Sequence, residues 1–382
     1  MTTPQDTVPG FTGAGTSSRP ASPLNRISPR RPDTGWRAGA PWLVALGILL
    51  GMVAVVALGS GAVAIAPLQV IAILSRQLSL DLPWVVEPHH EAIIMAIRLP
   101  RILLGILIGS GLSLAGAAMQ GLFRNPLADP GLIGVSSGAA VAAVAVIVLG
   151  TTVLDFATTA LGPLALSLAA FSGGATTTFL VYHLSMVHGR VAVATMLLAG
   201  IAINAVAGAA TGIFTFVADD AQLRTLTFWN LGSLGGATWT AVVSVSPLIG
   251  LSSLATLRFA RPLNALLLGE DEAGHLGYNI DSLKRRLVLL TALSVGAAVA
   301  VAGIIGFVGL VVPHLLRLIL GPDHRLLLPG SALLGAALLL GADLIARTIV
   351  APAELPIGIV TAIVGGPFFM FLLQRGRRLG RY

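Results

Sequence analysis

Arginines at the ends of long apolar runs are the candidates for chemistry in this chain, since they could meet an acidic partner or, alternatively, snorkel to lipid phosphates. Arg98 and Arg101 open an apolar stretch within the motif RLPR, and Arg347 closes another, four residues after Asp343. A guanidinium presents a planar fork of donors that matches a carboxylate bidentately. Spaced at i and i+4 on one helix, Asp343 and Arg347 could instead pair with each other. Gln120 and Asn204 also interrupt apolar runs. Polar groups are costly against lipid, so these face protein or a water-filled path; with Asn125 they are the pathway and gating candidates. Lys284 is the sole lysine and follows Leu283 rather than a glycine-rich loop. A phosphate cradle of the Walker type is thereby excluded, and any ATP hydrolysis belongs to another subunit. His89 and His90 stand beside Glu91, where they could meet a metal-containing substrate. His183, His188, His275, His314 and His324 lack the helical spacing of a zinc protease, so no metal site and no catalytic residue is assigned.

The elements that must position these residues are membrane helices. The 382 residues are 55% hydrophobic and 10% charged, with a mean hydropathy of +0.90, which describes an all-α polytopic membrane protein. The absence of cysteine removes disulfides and thiolate metal sites. A net charge of +7 does not point to nucleic acid, because the arginines cluster in a tail and in short loops beside apolar runs. Residues 1–40 are rich in Pro, Ser, Thr and Gly and carry Arg19, Arg26, Arg30, Arg31 and Arg37. This composition predicts a disordered cytoplasmic tail, followed by a transmembrane domain over 41–382.

Apolar runs centred near Gly51, Gly111, Ala142, Ala169, Ile201, Leu248, Val295, Ala336 and Val364 predict nine crossings. Basic residues at both ends of the chain place both termini in the cytoplasm, which requires an even number. The tenth crossing is expected near Val311 to Leu320, where Pro313, His314 and Arg317 dilute the hydropathy. Small residues one turn apart, Gly105 with Gly109 and Gly134 with Gly138, predict close helix packing. Shifting the chain by 187 residues aligns Gly109 with Gly296, Gly116 with Gly303 and Pro126 with Pro313. Spans 2–5 and 7–10 then form an inverted repeat. In this topology Arg98, Arg101 and Arg347 lie outside, while Arg258, Arg261 and Lys284 to Arg286 lie inside.

The longest cytoplasmic loop, about 258–286, reads as a docking element. Apolar Leu263, Ala265, Leu266, Leu267 and Leu268 precede Glu270, Asp271 and Glu272, and Gly269, Gly274 and Gly277 divide the segment into short helices. The acidic trio could also serve only to start the second of those helices.

RLPR at 98–101, NPLADPGLIGVSSGA at 125–139, GFVGLVVPHLLR at 306–317, DHRLLLPG at 323–330 and AELPIGIVTAIVGGP at 353–367 together resemble one family. It is that of the permease subunits of FecCD/BtuC-type ABC importers for iron-siderophore, haem and vitamin B12. The resemblance runs from about Pro41 to the end and implies the type II ABC importer permease fold. It further implies a homodimer in the bacterial inner membrane, two ATP-binding ABC subunits that hold ATP and Mg, and a periplasmic substrate-binding protein. By that likeness Arg98 and Arg347 meet glutamates of the binding protein. Leu267, Leu268, Gly269, Glu270, Asp271, Glu272, His275, Leu276 and Gly277 correspond to the coupling helices that sit on the ATPase. The stretch LLLGEDEAGHLGYNIDSLKRRLVLLTAL is most similar to haem importers, with ferric-siderophore or vitamin B12 carriage as the alternative. An ion-coupled secondary transporter would need acidic groups near mid-membrane, for which only Asp343 qualifies.

Overall fold

The computed structural model describes residues 34–378 except 62, 78, 81 and 85. Residues 1–33 of the predicted tail and the terminal residues 379–382, among them Arg381, lie outside the described residues. The first helix, α1 (Thr34–Gly59), starts before Pro41, because Gly39 gives it a side-chain-free surface that packs directly on Leu326. Residues 34–40 are therefore helical, a shorter tail than the 1–40 boundary implied.

A short amphipathic α2 (Pro67–Arg76) follows, then α3 (Pro88–Leu122) and α4 (Val135–Leu149). After them come α5 (Asp155–Leu161), α6 (Leu164–Leu184), α7 (Val193–Val217), α8 (Asp220–Leu231) and α9 (Trp239–Leu257). Two short helices, α10 (Ala260–Leu266) and α11 (Glu270–His275), lead into α12 (Ile280–Ala302), α13 (Val308–Leu320), α14 (His324–Thr348) and α15 (Ile357–Arg378). Among the described residues seven helices are long and apolar enough to cross a membrane: α1, α3, α6, α7, α9, α12 and α14. The shorter apolar α4, α13 and α15 fall on the other three predicted crossings, including the dilute one at 311–320.

At ~1.5 Å per residue, α4 and α13 cover only part of a ~30 Å hydrocarbon core. Each is extended by irregular backbone: a 3-10 turn Pro130–Ile133 before α4, and residues 303–307 before α13. Each helix also starts from a left-handed residue, Gly134 at φ 81° and Phe307 at φ 68°. Phe307 is held in that unfavourable region by its ring, which lies against the bare backbone of Gly365 in α15.

The contacts obey an exchange symmetry. Helix α3 packs on α14 as α12 packs on α6, α4 on α6 as α13 on α14, and α3 and α12 pack on each other. This is the inverted repeat, with α3, α4, α6 and α7 matching α12, α13, α14 and α15. Its register differs from the predicted one. The last residues of α3 and α12, Leu122 and Ala302, are offset by 180 residues (302 less 122), not 187. Pro313 lies inside α13, whereas Pro126 lies in the loop after α3. Alanine and glycine recur so often on both helices that they align almost as well two turns out of place.

The hub is α3, buried along most of its length. Gly109 faces the backbone of Gly335 and Ala336 in α14, and Gly116 faces that of Gly309 in α13. Gly138 meets Gly173 and Thr177 of α6. One member of each predicted pair, Gly109 and Gly138, is thus a point where backbones touch and no Cβ fits, whereas Gly105 lies against the Leu340 and Leu234 side chains and Gly134 against that of Thr177.

Candidate functional site

Three arginines converge where α1 ends, α3 begins and α14 ends. Pro100 cannot supply an N–H and its ring crowds the carbonyl one turn earlier, and the helix widens into a π turn at Ile94–Arg98 just ahead of it. That turn aims Arg98 inward. Arg98 is 5% exposed and donates to the Leu58 carbonyl at 2.6 Å and to the Val63 carbonyl. Arg347 donates to the Ala57 carbonyl. Both arginines therefore occupy carbonyls that a helix leaves unpaired at its C-terminus, and in this conformation neither guanidinium is open at the surface.

Arg101 is the more connected of the three. Its Nη2 donates to Asp343 Oδ1 at 2.8 Å and its Nε to both Asp343 oxygens at 3.0 and 3.1 Å. On its other side Nη1 and Nη2 reach Glu354 at 2.8 and 3.0 Å. Asp343 is 2% exposed and Glu354 42%. The expected Asp343–Arg347 pair is therefore secondary: Arg347 Nε stands 3.6 Å from Asp343, and the carboxylate is already engaged from α3. Donation by Arg101, against the opposing effect of partial burial, holds the Glu354 carboxyl below its ordinary range. Sequence reasoning gave Glu354 no role; its place in AELPIG, directly after the α14 segment, was the available signal.

At the opposite end, α10 and α11 form a bent pair joined at Gly269, whose φ of 141° excludes most other residues. Leu263, Leu266 and Ala273 are buried beneath it. Leu267, Leu268 and Leu276 point outward at 39, 65 and 61% exposure. Asp271, Glu272, His275 and Gly277 are exposed among them. Glu270, Asp271 and Glu272 occupy the first turn of α11, where the helix dipole favours them. Two side-chain links hold the pair in place. Lys284 Nζ donates to Glu270 at 2.7 Å and to the Val191 carbonyl at 2.8 Å, and Asn264 donates to Asp323 at 2.6 Å while accepting the His324 N–H. The loop between spans ends at residue 279, so Lys284 to Arg286 are part of α12 rather than of the loop predicted at 258–286. An open cleft of about 610 Å³ adjoins, lined by Arg190, Glu270, Asp271, His275, Asp281 and Lys284 among others.

The pathway candidates do not converge. Buried Gln120 donates to the Leu310 carbonyl at 3.1 Å and accepts from Arg317 at 3.1 Å, bracing α3 against α13. Asn125 is exposed and accepts the Leu127 N–H. Asn204 on α7 accepts from Ser137 at 2.5 Å and donates to the Gly131 carbonyl, fastening α7 to the start of α4. In the same loop Asp129 accepts from Gly131, and burial pushes its carboxyl up against that bond. Among the described residues one group of metal-ligating side chains gathers, Glu87, His89 and His90 at the start of α3.

The FecCD transport family model matches residues 48–375. The chain is 46% identical over 335 residues to the hemin transport system permease protein HmuU of Yersinia pestis, covering 87% of this chain and 96% of that protein. It is 44% identical over 284 residues to the cobalamin import system permease protein BtuC of Halobacterium salinarum, covering 74% of each. A solved structure of an inward-facing metal-chelate type ABC transporter superposes with a TM-score of 0.75 at 32% identity, covering 88% of this chain and 99% of that one. The matched span takes in both the arginine cluster and the bent helix pair, and with the apolar helices and their inverted repeat it shows that the chain is an ABC importer permease belonging to the FecCD transport family.

Proposed function

We propose that this permease carries haem across the bacterial inner membrane into the cytoplasm, as a homodimer with two ATP-binding subunits and a periplasmic substrate-binding protein. The observation that carries the haem reading is the 46% identity to a hemin permease across 87% of the chain. Both termini are cytoplasmic in this reading, so the Arg98 end faces outward and the α10–α11 end inward.

At the outer end Arg98 and Arg347 receive the binding protein. Each would exchange a carbonyl of α1 for a carboxylate, a stronger charge-assisted partner. At the inner end the exposed Leu267, Leu268 and Leu276 fill a groove on the ATPase while Asp271, Glu272 and His275 make the polar rim. The Lys284 and Asn264 links transmit the movement of that subunit to α12 and α14. A secondary transporter is disfavoured because Asp343, its one acidic candidate, is occupied by Arg101.

The complex reconstituted with its partner subunits and offered haem, a ferric siderophore and cobalamin tests the cargo. ATP-dependent accumulation of haem above the other two is expected; preference for cobalamin, supported by the 44% identity to a cobalamin permease, replaces the haem reading. Ion-driven transport by the chain alone overturns the ATP-driven mechanism.

A further inference from the structure

The turn into α3 carries an arrangement that neither docking nor coupling uses. Glu87 precedes the first helical residue, Pro88, a position from which a side-chain oxygen ordinarily accepts a first-turn N–H. Glu87 makes no such cap. Its Oε2 stands 3.2 Å from His89 Nε2 instead. The His89 and His90 rings lie 4.3 Å apart, tilted by 58°. One ligand atom from each of Glu87, His89 and His90 falls within 4.8 Å of the others. Donors bonded tetrahedrally to one ion at ~2.0–2.2 Å stand ~3.3–3.6 Å apart, so side-chain movements that close the set by at most about 1.5 Å would seat all three on one ion. His90 Nδ1 adds an independent sign: it is shielded from solvent and has no hydrogen-bond partner, a state that folded proteins seldom leave unused. Glu91 is outside the set, since Gln77 donates to it at 3.2 Å.

From this geometry we propose that Glu87, His89 and His90 form a binding site for a divalent transition-metal ion. Two imidazoles and one carboxylate are a borderline donor set that suits Zn²⁺, Co²⁺, Ni²⁺ or Cu²⁺ and disfavours Mg²⁺ and Ca²⁺. Glu87 and His89 are exposed, so water completes the coordination. A bound ion fastens the residue ahead of α3 to its first turn, at the same end of the molecule as Arg98 and Arg101. The site stands on these three side chains alone and does not depend on the identity of the cargo.

The test is titration of the full chain, prepared without a polyhistidine tag in lipid nanodiscs, with Co²⁺ followed by its visible absorption and then displaced with Zn²⁺. One Co²⁺ per chain is expected, lost in the His89→Gln/His90→Gln variant and weakened in Glu87→Gln by at least the roughly tenfold that loss of even an outer partner costs. Unchanged binding in the double variant, or no Co²⁺ bound by the wild type, overturns the proposal. A measurement on the unmutated protein covers failure of the variant to fold: Zn²⁺ should shield His89 and His90, but not the exposed His183 or His188, from carbethoxylation read by mass spectrometry. Equal modification with and without Zn²⁺ also overturns it.

Discussion

Arg101 shows how a residue of ordinary type acquires a decisive position. It bridges Asp343, almost fully buried, and Glu354, half in solvent, which lie 242 and 253 positions further along the chain. Removing one partner of a buried pair leaves the other charged and desolvated, at a cost of about 3–5 kcal/mol. Arg101→Ala should therefore lower the thermal unfolding temperature in detergent sharply, while Arg101→Ala combined with Asp343→Asn recovers part of the loss. An equal or greater loss in the double variant counts against the pairing. Glu354 allows a test by pH. Its carboxyl is held below the ordinary range, so its contribution is full above its unfolded value and disappears as pH falls through the folded one. The difference in unfolding temperature between wild type and Glu354→Gln should be present at neutral pH and close in acid; it will be small, because the side chain is 42% exposed.

Helices were the most legible level. Long apolar runs located the seven long spans and the three shorter apolar helices that fall on the other expected crossings, because lipid admits little besides a helix in such a run. The register of the repeat was not legible, since small residues match at many offsets and only contacts choose among them. The choice matters at Gly116, where the α13 backbone leaves no space for a side chain. Gly116→Leu should push α3 away from α13 and remove most monodisperse protein from size exclusion, whereas Gly47→Leu, with nothing within 4 Å, should elute like wild type. The π turn at Ile94–Arg98 belongs to the same level. Pro100 was visible in RLPR, but only the folded backbone turns Arg98 from an outer anchor into a cap on α1.

Across the whole molecule the ends proposed for docking and for coupling can be disturbed separately. Leu268→Asp with Leu276→Asp places charge on the outward face of the α10–α11 pair and should abolish copurification with the ATP-binding subunit, leaving the unfolding temperature within about a degree. Arg98→Glu with Arg347→Glu should reduce binding-protein-dependent uptake while that copurification persists; uptake at the wild-type rate removes both residues from the docking role.

The sequence by itself determined the membrane class, the apolar spans, the opposed halves and the family, because hydropathy, charge asymmetry and motifs are properties of neighbouring residues. RLPR, AELPIG and the acidic stretch after Leu268 also marked where the two ends of the molecule lie. Tertiary structure alone decided which charges meet. Asp343 had Arg347 one turn away and took Arg101 from another helix, since a buried carboxylate is satisfied by whichever guanidinium the packing brings square to it. The same holds for Gln120 and Asn204, polar residues in apolar spans that became braces between helices, and for Glu87, His89 and His90, whose adjacency in sequence left open whether their side chains would converge.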